Sequence, residues 1–194
     1  MKTLFLDTST NLLYISFLDN EKVIYEVKSI GLNNHSDHLL DLIQKGLNEN
    51  NIQIKDFDKI VLGIGPGAYT GLRVSMSVAK MFAWTLNIPL YSISSLELLS
   101  SGYKEDGLYL IKFKAKKGYI YHKAFEIIDG EKKVITNEMF VNEEFIDSYD
   151  KNNFNNVIVV SNELYNIDVL NIKEDEMKLV TNVHALEPNY LREC

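Results

Sequence analysis

The residues best suited to chemistry are an aspartate and the hydroxyl side chains that follow it. Asp7 ends the first apolar run, and Thr8-Ser9-Thr10-Asn11 comes directly after it. An aspartate in such a turn can hold a metal ion or a phosphate where glycines let backbone N–H groups approach the ligand. This turn contains no glycine. We therefore expect the carboxylate to bond nearby backbone N–H groups, with a catalytic role as the lesser alternative.

A glycine-rich string is the second candidate site. It reads Gly63-Ile64-Gly65-Pro66-Gly67-Ala68-Tyr69-Thr70-Gly71-Leu72-Arg73-Val74 and joins a predicted buried strand to a predicted helix. Free N–H groups at a helix N-terminus bind anions. The possible anion or nucleotide contacts are Asp7, Gly65, Pro66, Gly67, Thr70 and Arg73. No lysine follows at P-loop spacing, and a tight, closely packed turn explains the glycines equally well.

The predicted helix after this string carries small side chains at every fourth position. Gly71, Ser75, Ala79 and Ala83 form this ridge, which would let another helix approach closely. Val74, Val78, Met81 and Thr85 form a neighbouring row that we expect to face the chain's own core. Burial of the small ridge inside the chain is the alternative.

An earlier helix, predicted after Ser36, starts with two histidines. His35 and His38 stand three residues apart with no further Cys or His nearby, so we expect a capping or interface role and no bound metal. The sequence has no Gly-x-Ser-x-Gly elbow and no Cys-His signature, and we predict no catalytic residue. The predicted partner-binding residues are His35, His38, Leu39, Leu42, Ile43, Gly71, Ser75, Ala79 and Ala83.

The charge balance argues against a protein that holds RNA by itself. The net charge is −7, whereas nucleic-acid binding draws on neutralised phosphates; the cluster worth noting is Lys112, Lys114, Lys116 and Lys117. Cys194 is the single cysteine, which excludes an intrachain disulfide. The short apolar N-terminal run and the lack of an apolar stretch of about 20 residues lead us to expect a soluble, cytoplasmic protein without membrane contact.

The predicted elements repeat an order of three strands, a helix and a strand. The first set ends near Ile93, and the second begins near Leu108 after a linker at Ser100–Gly107. This order predicts an α/β protein of two tandem ribonuclease-H-like domains, the actin-like ATPase (ASKHA) layout. We place the domains at 1–102 and 103–194, with the second one truncated.

Several strings resemble the TsaB (YeaZ) family, which is related to the TsaD, or glycoprotease-like, proteins. They are Leu6-Asp7-Thr8-Ser9, His35-Ser36, the string Gly65–Val74, Ala79-Lys80 and the closing Pro188-Asn189-Tyr190-Leu191-Arg192. The match to Gly-Pro-Gly-x-[Phe/Tyr]-Thr-Gly-[Leu/Val/Ile]-Arg is highly specific. Lys114-Ala115-Lys116 stands where the family usually carries Asp-Ala-Arg.

This resemblance implies a non-catalytic subunit for threonylcarbamoyladenosine modification of tRNA. It would pair with a TsaD-type transferase and a TsaE-type ATPase, meet tRNA only through that complex, and form a homodimer when isolated. ATP and metal are expected in the partner subunits, with no cofactor in this one. The alternative is a nucleotide-binding enzyme of the actin-like fold, a kinase, an ATPase or a glycoprotease-like peptidase.

Overall fold

The computed structural model describes residues 1–31, 35–153, 157–161 and 164–191. This part of the chain divides into two compact units. The first comprises Met1–Leu98 with Ile172–Asn189, and the second comprises Leu99–Asn171 with the residues from Tyr190 onward.

A six-stranded sheet forms the centre of the first unit. Its strands are β1 (Lys2–Asp7), β2 (Leu12–Asp19), β3 (Lys22–Ile30), β4 (Lys59–Gly63), β5 (Leu90–Ile93) and β10 (Lys178–Leu179). The spatial order is β3-β2-β1-β4-β5-β10. The first three strands are antiparallel, and β4 and β5 run parallel to β1.

Two long helices and one short helix accompany this sheet. They are α1 (His35–Asn50), α2 (Tyr69–Leu86) and α3 (Ser95–Leu99). Alternate residues of the strands, such as Leu4, Leu6 and Ile15, point to one face because side chains alternate along a strand. They form one buried cluster with side chains of α1 and α2. Asn87, in the left-handed conformation, ends α2 just before Ile88-Pro89, where the sequence predicted the end.

The second unit repeats the strand order of the first. Its strands are β6 (Gly107–Lys114), β7 (Tyr119–Ile128), β8 (Glu131–Asn142) and β9 (Val157–Ser161), and its helix is α4 (Glu143–Asn153). The order is β8-β7-β6-β9, with β9 parallel to β6 and the other pairs antiparallel. In both units the first strand lies between the second and the fourth. The prediction of two ribonuclease-H-like units is therefore confirmed, and the second has the smaller sheet.

The C-terminal segment departs from the predicted division at 102/103. Residues 172–189 belong to the first compact unit, because β10 pairs with β5 and the Val180 N–H donates to the carbonyl of Leu90 at 2.9 Å. Val183 and Leu186 also pack against the first core. We call residues 178–189 the C-terminal strap.

No helix in the described residues is both long and apolar enough to cross a bilayer.

Candidate functional site

Asp7 lies at the end of β1 with its carboxylate fully buried. The N–H of Ser9 donates to Oδ1 at 2.7 Å, and the hydroxyl of Ser95 donates to Oδ2 at 2.6 Å. The Ser95 hydroxyl also accepts the N–H of Gly65 at 2.9 Å. The expectation of a carboxylate bonded to nearby groups holds, and these bonds tie β1 to the glycine-rich string.

The glycines of the string lie where other backbone approaches closely. A Cβ at Gly71 would overlap the carbonyl oxygen of Thr8, and one at Gly67 would overlap that of Ser9. Gly65 stands in the left-handed region with φ of 107°, and its peptide bond to Pro66 is cis. The space a larger side chain would need is occupied by the chain itself. Close packing thus accounts for glycine at these positions.

A threonine hydroxyl joins the turn between β1 and β2 to α2. The Thr8 hydroxyl donates to the carbonyl of Gly71 at 2.6 Å and accepts the N–H of Ser75 at 3.2 Å. These two backbone groups are the i and i+4 partners of one helical hydrogen bond. The Thr8 side chain therefore lies against the backbone of the first turns of α2.

The remaining residues predicted to contact an anion lie on the outside of α2. Thr70 and Arg73 are exposed. The Arg73 guanidinium carbon lies 4.2 Å from the centre of the Tyr69 ring, which is cation–π geometry. The structure brings Asp7, Gly65 and Gly67 together through the contacts above. It leaves Thr70 and Arg73 facing solvent, so the six residues do not form one site.

The small ridge of α2 faces the interior. Gly71, Ser75, Ala79 and Ala83 are all buried, and the last two share a cluster with Leu39 and Ile43 of α1. The prediction that these six residues form a surface for another subunit is therefore wrong. Small side chains do allow a close helix neighbour, but that neighbour is the chain's own α1.

The neighbouring row of α2 lies at the edge of the core. Val74 and Val78 are partly buried and pack against the core, as expected, whereas Met81 and Thr85 are exposed. Trp84 is 64% exposed and Leu40 of α1 is 47% exposed. We name Leu40, Val74, Val78, Met81 and Trp84 the outer helix surface.

The first turn of α1 is only partly described. The side chain of His35 lies outside the described residues, so its expected interface role stays a prediction. His38 is exposed and Leu42 is partly buried. Both line a small surface depression between β3 and α1, together with Asp41 and Lys45.

Comparison with known proteins decides the family. The family model described as TsaD, tRNA N6-adenosine threonylcarbamoyltransferase, matches residues 28–167. The chain belongs to the TsaD family. The resemblance to TsaB predicted from the sequence is confirmed by a relative in Bacillus subtilis (strain 168), named tRNA threonylcarbamoyladenosine biosynthesis protein TsaB. The two are 37% identical over 131 residues, which cover 67% of this chain and 57% of the relative. The chain thus aligns with little more than half of that relative.

Two solved structures are similar to this chain. YeaZ from Pseudomonas aeruginosa matches with 25% identity and a TM-score of 0.66, covering 73% of this chain and 67% of that one. A second structure, described as an uncharacterized protein with similarity to peptidase YeaZ from Pseudomonas aeruginosa, has 21% identity and a TM-score of 0.81. It covers 98% of this chain and 99% of its own. This second match supports the fold of both units.

Sequence reasoning missed three contacts around the glycine-rich string and α2. Ser95 bonds Asp7, the Asn189 N–H donates to the carbonyl of Ile64 at 2.7 Å, and Lys80 donates to the carbonyls of His184 and Leu186 at 2.9 and 3.1 Å. These partners lie far apart in sequence, so no local pattern could pair them. The strings Ala79-Lys80 and Pro188-Asn189 were a signal, because both belong to the family resemblance.

Proposed function

We propose that this chain is the non-catalytic subunit that supports a TsaD-type transferase in making threonylcarbamoyladenosine in tRNA, in the cytoplasm and with a TsaE-type ATPase. Membership of the TsaD family and the similarity to a TsaB protein support the pathway. The transferase chemistry, with its ATP and metal, is assigned to the partner subunits. Contact with tRNA is made within the assembly.

The state of Asp7 carries the non-catalytic part of the proposal. Its carboxylate has no exposed surface, and both oxygens accept short hydrogen bonds from Ser9 and Ser95. A metal ion or phosphate-bound magnesium would have to displace these bonds. The carboxylate is used to join β1 to the glycine-rich string, which supports a structural role.

The outer helix surface is our proposed contact for the transferase subunit. It places partly buried valines beside the exposed Met81 and Trp84 on one side of α2. Aromatic and methionine side chains are enriched at the cores of protein interfaces. The same surface would serve the homodimer of the isolated chain. This proposal replaces the earlier prediction that the small ridge of α2 contacts the partner.

Depletion of the chain from its native cell tests the function. We expect threonylcarbamoyladenosine, measured by mass spectrometry of digested tRNA, to fall sharply and to return when the wild-type chain is supplied. Met81→Glu should fail to restore it, whereas Ile128→Glu, at a similarly exposed apolar residue of the second unit, should succeed. Unchanged modification after depletion would overturn the proposal.

Calorimetry with ATP and magnesium tests the enzyme alternative. The isolated chain should give no saturable heat. Micromolar binding with slow hydrolysis, lost in Asp7→Asn, would instead favour a nucleotide-binding enzyme. Asn preserves the size of the side chain and one carbonyl acceptor, so the variant separates loss of charge from loss of shape.

A further inference from the structure

The hairpin between β6 and β7 concentrates positive charge in an otherwise acidic chain. Residues 107–125 contain five lysines and no aspartate or glutamate. Two of the five are withdrawn from the surface: Lys112 pairs with Asp147 at 2.8 Å and with Asp150 at 2.5 Å, and Lys123 is buried. Lys114, Lys116 and Lys117 remain exposed around the turn.

An aromatic pair fixes the position of one of these lysines. The rings of Tyr119 and Phe140 stack with centres 4.9 Å apart and planes 5° apart. The ammonium of Lys116 lies 5.0 Å from the first ring centre and 5.5 Å from the second. Cation–π contact restricts the lysine without neutralising its charge. Its positive charge is thus held at a defined place.

The nearest acidic residues of α4 lie on the other face of this sheet. Lys112 is opposite His122 in the strand register and contacts α4. Side chains alternate along a strand, so Tyr119 and its partner Phe140 point away from α4. The N–H of Glu143, the first residue of α4, donates to the carbonyl of Gly118 at 3.0 Å, so α4 begins directly beside the turn, whereas the aromatic pair lies on the other face of the sheet.

We propose that Lys116 and Lys117, with the Tyr119–Phe140 pair beneath Lys116, form a contact for the phosphate backbone of RNA; Lys114, two residues after Lys112 on β6, lies on the α4 face and is not part of it. This inference rests on the proposed function, in which the RNA is tRNA. Lysine ammonium groups bind phosphates as point charges, and the cation–π contacts hold the Lys116 ammonium in place. One or two phosphate contacts give weak binding alone and add to the affinity of a larger assembly.

The chain offers a matched control for this hairpin. Lys132 and Lys133 are also adjacent lysines of the second unit, and Lys132 lies 4.6 Å from the centre of the Phe125 ring. Their neighbours are acidic, since Glu126 pairs with Lys133 in the register and Glu131 precedes Lys132. Reversing either lysine pair changes the net charge equally. A difference between the two variants therefore reports position.

The experiment is an NMR titration of the ¹⁵N-labelled full chain with an unmodified tRNA transcript at 50 mM salt. We expect the largest shifts at residues 114–119 and 140. The double variant Lys116→Glu, Lys117→Glu should weaken binding at least ten-fold, and the slope of log K against log salt should become shallower by about 1.5. The double variant Lys132→Glu, Lys133→Glu should change the affinity and this slope far less. Lys116→Gln with Lys117→Gln should give an intermediate loss.

Two results would overturn the inference: equal effects of the two charge-reversed pairs, or equal shifts at the hairpin with polyglutamate in place of the transcript. The latter would indicate an acidic protein partner. Because the readout is tRNA binding by the isolated chain, it is independent of whether the chain supports threonylcarbamoyladenosine formation. Loss of binding with normal pairing to the transferase would leave the proposed function intact.

Discussion

At the scale of single residues, Gly71 shows how one missing side chain holds two elements together. The turn between β1 and β2 packs so closely on α2 that a Cβ at this position would meet the backbone of Thr8. Backbone cannot rotate away as a flexible side chain can. We expect Gly71→Ala to lower the free energy of unfolding by about 1–3 kcal/mol in urea denaturation. Ser77→Ala, on the exposed side of the same helix, should change it by less than about 0.5 kcal/mol.

His122 makes stability depend on pH. Its ring is fully buried, and Nδ1 donates to the carbonyl of Ile111 at 3.0 Å. Burial lowers the pKa of this imidazole below its ordinary value, against the opposing attraction of Asp150. The unfolded chain therefore takes up a proton near pH 6.5 that the folded chain refuses, so the free energy of unfolding falls as the pH drops below that value.

The asparagine variant isolates this effect. His122→Asn keeps an N–H near the position of Nδ1 and cannot titrate. We expect its free energy of unfolding to decline less steeply than the wild type's between pH 7 and pH 5, as measured by urea denaturation at each pH. Parallel curves for the two proteins would show that His122 does not contribute.

At the scale of elements, Lys80 fastens the C-terminal strap to α2. Its ammonium donates to two strap carbonyls, and Trp84 places its ring 4.1 Å from that of His184. We expect Lys80→Met to lower the free energy of unfolding by about 1 kcal/mol. It should also speed hydrogen exchange at the strap amides of Val180 and Asn189. Lys45→Met, which removes an exposed pair with Glu49, should leave that exchange unchanged.

The elements were also where sequence patterns were most informative. Apolar runs and turn residues predicted both strand-strand-strand-helix-strand sets, and Asp129-Gly130 forms the predicted hairpin turn with φ of 52° and 76°. Asn142 caps α4 as predicted, accepting the N–H of Glu144 at 3.0 Å. The two-residue β10 was missed, because its pairing with β5 depends on residues about 90 positions away.

The candidate site was less predictable, for a physical reason. A helix with apolar side chains on both sides does not reveal from its own sequence which side faces inward. On α2 the row Val74, Val78 and Met81 is bulkier than the small ridge, yet it is the ridge that is buried. The side of α2 that faces inward depends on how closely α1 and the turn between β1 and β2 approach it. That distance is a property of the tertiary structure.

At the scale of the whole molecule, the candidate site of the first unit holds the unit's own elements together. The first unit uses its aspartate, hydroxyls and glycines to join β1, the glycine-rich string and α2. The outer helix surface is the part of this unit that we propose contacts a second protein. Substitutions there should affect association and leave stability nearly unchanged, whereas substitutions in the ridge should do the reverse.

The most direct test is the affinity of this chain for the TsaD-type subunit of the same cell, measured by biolayer interferometry. Met81→Glu places a charge in the proposed interface and should weaken binding at least a hundred-fold, with thermal unfolding within a few degrees of the wild type. Ile128→Glu should bind as the wild type does. Wild-type affinity of Met81→Glu, or equal losses in both variants, would contradict the account.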